Sequence, residues 1–130
     1  MHTILGIGTD IVEIDRIRKA IRKHGQILLN RLFSSSEQKY CQQYRNPYAS
    51  FAARFCAKEA LAKALGEGFG ENLSFLDIEI RIHATGQPYI SLSQTCAHFF
   101  SFPVLHLSLA HSKYYATAVV IACHHHRGNM

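Results

Sequence analysis

The spacing of apolar and polar residues changes period about halfway along the chain. Residues 3–9, TILGIGT, read as a short strand in which Gly6 and Gly8 strip one face of side chains and Asp10 falls at the end. Glycines placed this way in a strand mark close approach by another backbone or by a ligand. Over residues 13–23 the spacing becomes helical. Ile14, Ile17 and Ile21 form one stripe, while Arg16, Arg18, Lys19, Arg22 and Lys23 cover the other faces. After Gly25, residues 27–33 continue as a further helical turn. Ser34 and Glu37 have the spacing of a capping box, which predicts a short helix from Ser35 to about residue 44. Asn46-Pro47 then supplies an N-cap and a first-turn proline for a long helix that runs to Leu65. Gly66 and the loose GEGFGEN segment close it.

Beyond residue 76 the period falls to two. Ile78, Ile80 and Ile82 alternate with Asp77, Glu79, Arg81 and His83, the pattern of a half-buried strand. Thr85-Gly86-Gln87-Pro88 makes a turn into a strand at 89–92, and residues 93–100 suggest a short helix. Residues 104–110 and 116–122 are two more strands, joined around 112–114. So tight a connection implies antiparallel pairing. The fold class expected is α+β.

Length and composition narrow the setting. A chain of 130 residues makes one domain, here 1–122 with a tail at 123–130. No apolar run approaches the roughly 18 residues of a membrane span, and the N-terminus turns acidic too soon for a signal peptide. An intracellular, cytoplasmic protein with no membrane partner is expected. Cys41, Cys56, Cys96 and Cys123 form no CxxC pair, which fits free thiols in a reducing compartment. The run Cys123-His124-His125-His126 can grip a soft metal. Consecutive residues at a terminus seldom close a tetrahedral site, so an unstructured end is the plainer reading. Residues 16–63 hold eleven Lys or Arg against two acids, while the rest of the chain is acidic. Such asymmetry suits an anionic partner: nucleic acid, a phosphorylated small molecule or an acidic protein.

The stretch FAARFCAKEALAKALG (51–66) looks built for an interior, yet it carries Arg54, Lys58, Glu59 and Lys63. Phe51, Phe55, Ala62 and Leu65 suggest a core stripe, and Ala52, Cys56, Ala60 and Gly66 leave room for something bulky on another side. Glu59 and Lys63 are four apart and share a face. By spacing alone they form an ion pair on a solvated helix, worth a few tenths of a kcal/mol. Alternatively Glu59 and Asp10 hold a hard cation such as Mg²⁺, although 49 positions separate them and spacing does not bring them together. Asp10 by itself reads equally as a turn residue, and His111, at the end of a strand, as a packed histidine, a phosphate ligand or a base.

Taken in order, GIGTDIVEIDRI, FAARFCAKEALAKALG, LSFLDIEI, TGQPYI and HLSLAHSKYYATAVV resemble the holo-acyl-carrier-protein synthases, the small bacterial 4′-phosphopantetheinyl transferases, over about residues 4–122. The departures are small: Ala53 stands for a usual glycine, Cys56 for an alanine and Thr9 for a leucine. The resemblance implies Mg²⁺-dependent transfer of phosphopantetheine from coenzyme A to a serine of apo-acyl carrier protein, releasing adenosine 3′,5′-bisphosphate, in fatty acid biosynthesis. It implies Asp10 and Glu59 as metal ligands, and Lys63 at the coenzyme's phosphates as part of the catalytic set. Arg54 and Gly66 would lie at the coenzyme, His111 would reach it from a neighbouring subunit, and Arg16 would meet an acidic residue of the carrier. The fold implied is an antiparallel sheet packed against a long helix, assembled as a homotrimer. On that reading the charges of the long helix face ions of opposite sign, and Arg54's planar fork suits a terminal phosphate. The acceptor of the serine proton, Asp10 or a metal-bound water, is not chosen by the sequence. A nucleic-acid binding module is the rival reading, but no basic-aromatic platform accompanies the charge. A non-catalytic structural trimer is the other.

Overall fold

The alanine-rich centre of the sequence becomes the axis of the molecule. The computed structural model describes residues 3–125. The elements follow in the order β1 (Ile4–Glu13), α1 (Ile14–Leu32), α2 (Ser35–Gln42), α3 (Tyr48–Leu65), a 3₁₀ turn (Phe75–Asp77), β2 (Ile78–Ile82), β3 (Pro88–Leu92), α4 (Gln94–Phe99), β4 (Val104–His111) and β5 (Tyr115–Cys123). The class is α+β, with all strand pairing antiparallel: one sheet in the order β1-β5-β4, and a separate β2-β3 hairpin.

Ala52, Ala53, Ala57, Ala60, Ala62 and Ala64 give α3 high helix propensity and thin walls. The helix is therefore enclosed on nearly every side, with Phe51, Cys56 and Leu61 also buried. The glycines of β1 make the tightest of these contacts. A Cβ added at Gly8 would lie 1.8 Å from the Ala60 carbonyl oxygen, and one at Gly6 would lie 1.9 Å from that of Ala64. The close approach expected of these glycines is made by α3 itself. The small residues Ala52, Cys56 and Ala60 likewise serve helix and sheet packing rather than a bulky ligand, and Cys56 Sγ donates to the Ala116 carbonyl at 3.3 Å.

Several boundaries move. β1 runs to Glu13, because pairing with β5 continues through Asp10↔Ala118 to Glu13↔Tyr115, so Asp10 sits within the strand rather than at its end. The two expected helical pieces of 13–33 both form, on either side of Gly25, whose backbone is non-helical (φ 62°, ψ −143°), and are described together as α1. Ser34 and Glu37 form the expected capping box, but α2 stops at Gln42. Pro47 rather than Asn46 occupies the cap position of α3, and the Asn46 side chain accepts from Tyr48 N–H at 3.3 Å. Gly66 ends α3 in the left-handed conformation (φ 69°), where a side chain would be strained. β5 takes in Cys123, one residue past the expected domain boundary, while His126 of the Cys-His run lies outside the described residues.

Two fully buried charges join the layers. Lys58 Nζ lies 2.8 Å from Glu37 Oε1, and both side chains are 0% exposed. Removing one partner from such a pair costs roughly 3–5 kcal/mol, because the other charge is left buried and unpaired. Burial pushes the Lys58 ammonium below the usual lysine range, against the opposing pull of Glu37.

Candidate active site

The contact between β1 and α3 sets the geometry of the site. Gly6 meets Ala64 and Gly8 meets Ala60, so two residues of strand advance per helical turn, in opposite directions. The next inward position of β1 is Asp10, which comes level with the turn of α3 that carries Cys56 and Glu59. Asp10 and Glu59 line one cavity of about 460 Å³, with Arg16 also on its wall. The remainder of that wall is largely apolar and includes Ile17, Leu32, Phe55 and Phe75.

Lys63 crosses to the strand. Its Nζ donates to the Thr9 carbonyl at 2.9 Å and to Asp10 Oδ1 at 3.2 Å. The ion pair expected between Glu59 and Lys63 is replaced by one between Lys63 and Asp10, because β1 brings a carboxylate within reach of the same face. Glu59 is half-buried, and its carboxyl is raised above the ordinary glutamate range, first by burial and then by the charge of Asp10, with Lys63 pulling the other way. The Cys56 thiol is pushed up to about 12, first by burial and then by the charge of Asp10. It is thus a neutral thiol at pH 7.

The donor set fits a hard divalent cation. Two carboxylates repel each other across an open cavity, while the neighbouring sulfur is protonated and offers no soft ligand. No group of three or more potential metal-binding side chains occurs among the described residues, so protein ligands alone would leave most of a coordination shell to water and substrate oxygens.

Arg54 and His111 sit elsewhere. They line a second cavity of about 410 Å³ together with Tyr40, Tyr44 and Asn46. Arg54 is buried, with its guanidinium 4.4 Å from the centre of the Tyr40 ring and Nη1 donating to Ser50 Oγ at 2.8 Å and to the Ser50 carbonyl at 3.2 Å. Its Nε finds no acceptor among the described residues. A buried guanidinium with a donor to spare is a natural anion site. His111 is exposed at the end of β4. Gly66 caps α3 and lines neither cavity. Arg16 is exposed at the first cavity, and its neighbours Arg18 and Lys19 are both paired with Asp15.

The sequence gives no sign of three contributions. Tyr40 under Arg54 carries no pattern of its own. The aromatic stack of Phe55 on Phe75 (5.7 Å) and of Phe75 on Phe69 (3.9 Å) joins residues separated by a loop. Glu37 is legible only as a capping residue, and nothing in its spacing points to Lys58.

The chain as a whole is similar to known proteins. The holo-[acyl-carrier-protein] synthase of Protochlamydia amoebophila is 48% identical over 117 residues, which cover 90% of this chain and 96% of that protein. That of Chlamydia caviae is 50% identical over 115 residues, covering 88% and 93%. Among solved structures, the Bacillus anthracis holo-(acyl-carrier-protein) synthase in complex with CoA (3′,5′-ADP) superposes with a TM-score of 0.82 at 35% identity, covering 96% of this chain and 100% of that one. The Helicobacter pylori enzyme in complex with coenzyme A gives a TM-score of 0.82 at 38% identity, covering 89% and 98%. The model of the 4′-phosphopantetheinyl transferase superfamily matches residues 6–120, and the chain belongs to that family.

Proposed function

We propose that this protein is a holo-acyl-carrier-protein synthase, transferring 4′-phosphopantetheine from coenzyme A to a serine hydroxyl of an apo-acyl carrier protein in cytoplasmic fatty acid biosynthesis. One observation carries the reading: Asp10 and Glu59, 49 positions apart in sequence, meet on one cavity with Lys63 bonded to Asp10. In the reaction the serine oxygen bonds to the phosphorus that carries the pantetheine arm. The bond from that phosphorus to the other half of the diphosphate breaks, and adenosine 3′,5′-bisphosphate leaves with the electron pair.

Asp10 and Glu59 would hold Mg²⁺, which, when bound, supplies positive charge to the diphosphate. The raised carboxyl of Glu59 supports this role, since a bound cation would offset both the burial that chiefly raises it and the added charge of Asp10. The Lys63 side chain is 55% exposed, so its ammonium can turn from Asp10 toward phosphate oxygens. There it would offset the charge that grows on the leaving group. Arg54, with its spare Nε, would take the coenzyme's terminal phosphate, and His111 shares its cavity. The two cavities have no lining residue in common, which suits a coenzyme reaching from the acid pair of one copy to Arg54 and His111 of a neighbour. Gly66, bare of side chain at the end of α3, leaves backbone open to the coenzyme.

A homotrimer is part of this reading. The sheet face turned away from α3 presents Ile7 and Ile11 at 58% and 62% exposure, an apolar surface that a further copy would cover. Arg16, exposed at the cavity, would receive an acidic side chain of the carrier, with attraction that steers encounter more than it deepens affinity.

Mass spectrometry of an apo-carrier incubated with the protein, coenzyme A and Mg²⁺ tests the proposal. The expected result is a gain of one phosphopantetheine group, abolished by chelation. An unchanged carrier mass overturns it.

A further inference from the structure

Lys58 is the charge on α3 that this chemistry leaves without a task. All three of its ammonium hydrogens are spoken for: Nζ bonds to Glu37 Oε1 at 2.8 Å, to the Leu32 carbonyl at 2.7 Å and to the Phe75 carbonyl at 3.1 Å. Glu37 is engaged just as fully. Its Oε1 accepts from Ser34 N–H at 2.8 Å and its Oε2 from Ile80 N–H at 2.9 Å. One ion pair thus ties the last carbonyl of α1, the start of α2, the 3₁₀ turn and β2 to α3, at the residue next to Glu59.

Three of the residues held this way, Leu32, Phe33 and Phe75, line the cavity that contains Asp10 and Glu59. Leu32 and Phe75 are bonded directly by Lys58, and the Phe33 ring lies 5.3 Å from its Nζ. Phe55, one turn before Glu59, stacks on Phe75 and completes that wall. Stability alone does not call for such a pair, because well-packed apolar residues often do as well in its place. What the pair adds is direction, since each bond ends on a particular atom of a particular segment.

We propose that Lys58 and Glu37 are positioning residues for the transfer: they set the Leu32–Phe33–Phe75 wall at a fixed distance from Glu59, and so align the substrate segment lying between the wall and the acid pair. The proposal rests on the transferase reading above. Misplacement of reacting groups by about 1 Å can cost on the order of 10²-fold in rate, so a loosened wall lowers kcat in a protein that remains folded. The exposed carrier-facing surface around Arg16 is untouched by either side chain, which leaves the carrier KM unchanged.

The experiment compares wild type with the double variant K58M/E37Q, which removes both charges together and leaves neither buried alone. Circular dichroism and Tm establish that the variant is folded, and initial rates with coenzyme A, Mg²⁺ and apo-carrier give kcat and KM. The expected result is a kcat lower by about tenfold or more at a carrier KM within about twofold of wild type. Wild-type kcat in the folded double variant overturns the proposal and reduces the pair to a structural role. Should the double variant not fold, Lys58→Arg, which keeps both charges but changes the length and direction of the bonds to Leu32 and Phe75, is judged by the same two outcomes. Absence of transfer by wild type in the same assay would instead defeat the transferase reading.

Discussion

Glu59 carries two opposed requirements. Burial and the charge of Asp10 raise its carboxyl above the ordinary glutamate range, so its ionisation is harder in the folded chain than in the unfolded one. For a group raised in this way, the contribution to stability is greatest below the unfolded pKa and falls as pH rises through the folded value. In the metal-free protein, Glu59→Gln should therefore raise Tm at pH 7, with the gain vanishing below about pH 4, where wild-type Glu59 is protonated as well. A thermal melt series across pH checks this. The same variant should lose transfer activity by roughly 10²-fold or more, since a charged member of the reaction site is gone. At Arg16 the expected effect is of another kind. Arg16→Glu should raise KM for the carrier about tenfold, more steeply at low salt, with coenzyme A affinity unchanged by calorimetry.

At the scale of elements, the pairing of β1 with α3 is what places Asp10, and the two glycines permit it. Gly8→Ala would drive a methyl into the Ala60 carbonyl, a backbone group that cannot swing aside. The expected cost is about 3 kcal/mol or more by urea titration, at the upper end of overpacking changes. Gly68→Ala, with nothing within 4 Å of the added carbon, should stay within about 0.5 kcal/mol of wild type. The period-two alternation of Ile78, Ile80 and Ile82 and the capping box at Ser34 are local signals, and both elements form where those signals lie. The end of β1 carries no such signal: strand geometry continues past Asp10 because β5 is there to pair with it. Gly25 divides α1 into the two helical pieces its place in the sequence predicts, and Ile17 before it and Leu29 after it bury into the same core.

For the whole molecule, the uncovered sheet face is the feature that one chain leaves unresolved in energetic terms. A lysine at Ile7 or Ile11 would have to be desolvated if that face is covered by other copies. I7K/I11K should then elute as a monomer in light scattering coupled to size exclusion, where wild type is expected to elute as the proposed trimer. Because the Arg54–His111 cavity lies apart from the acid pair, the monomer should also lose transfer activity while keeping its circular dichroism spectrum. A double variant that stays trimeric would place the interface elsewhere.

The sequence by itself determined the α+β class, a long helix ending at Leu65 and a close approach at Gly6 and Gly8, because propensity and period are written in neighbouring residues; the acid pair it offered only through a resemblance. Only the tertiary structure decided the partners of the four charges on α3. Lys63 went to Asp10, Lys58 to Glu37, Arg54 to Tyr40 and Ser50, and Glu59 was left facing the cavity. Spacing along one helix reveals which charges share a face, but the partner comes from whatever segment packs there: Glu37, 21 positions away, for the buried Lys58 and Asp10, 53 positions away, for the exposed Lys63.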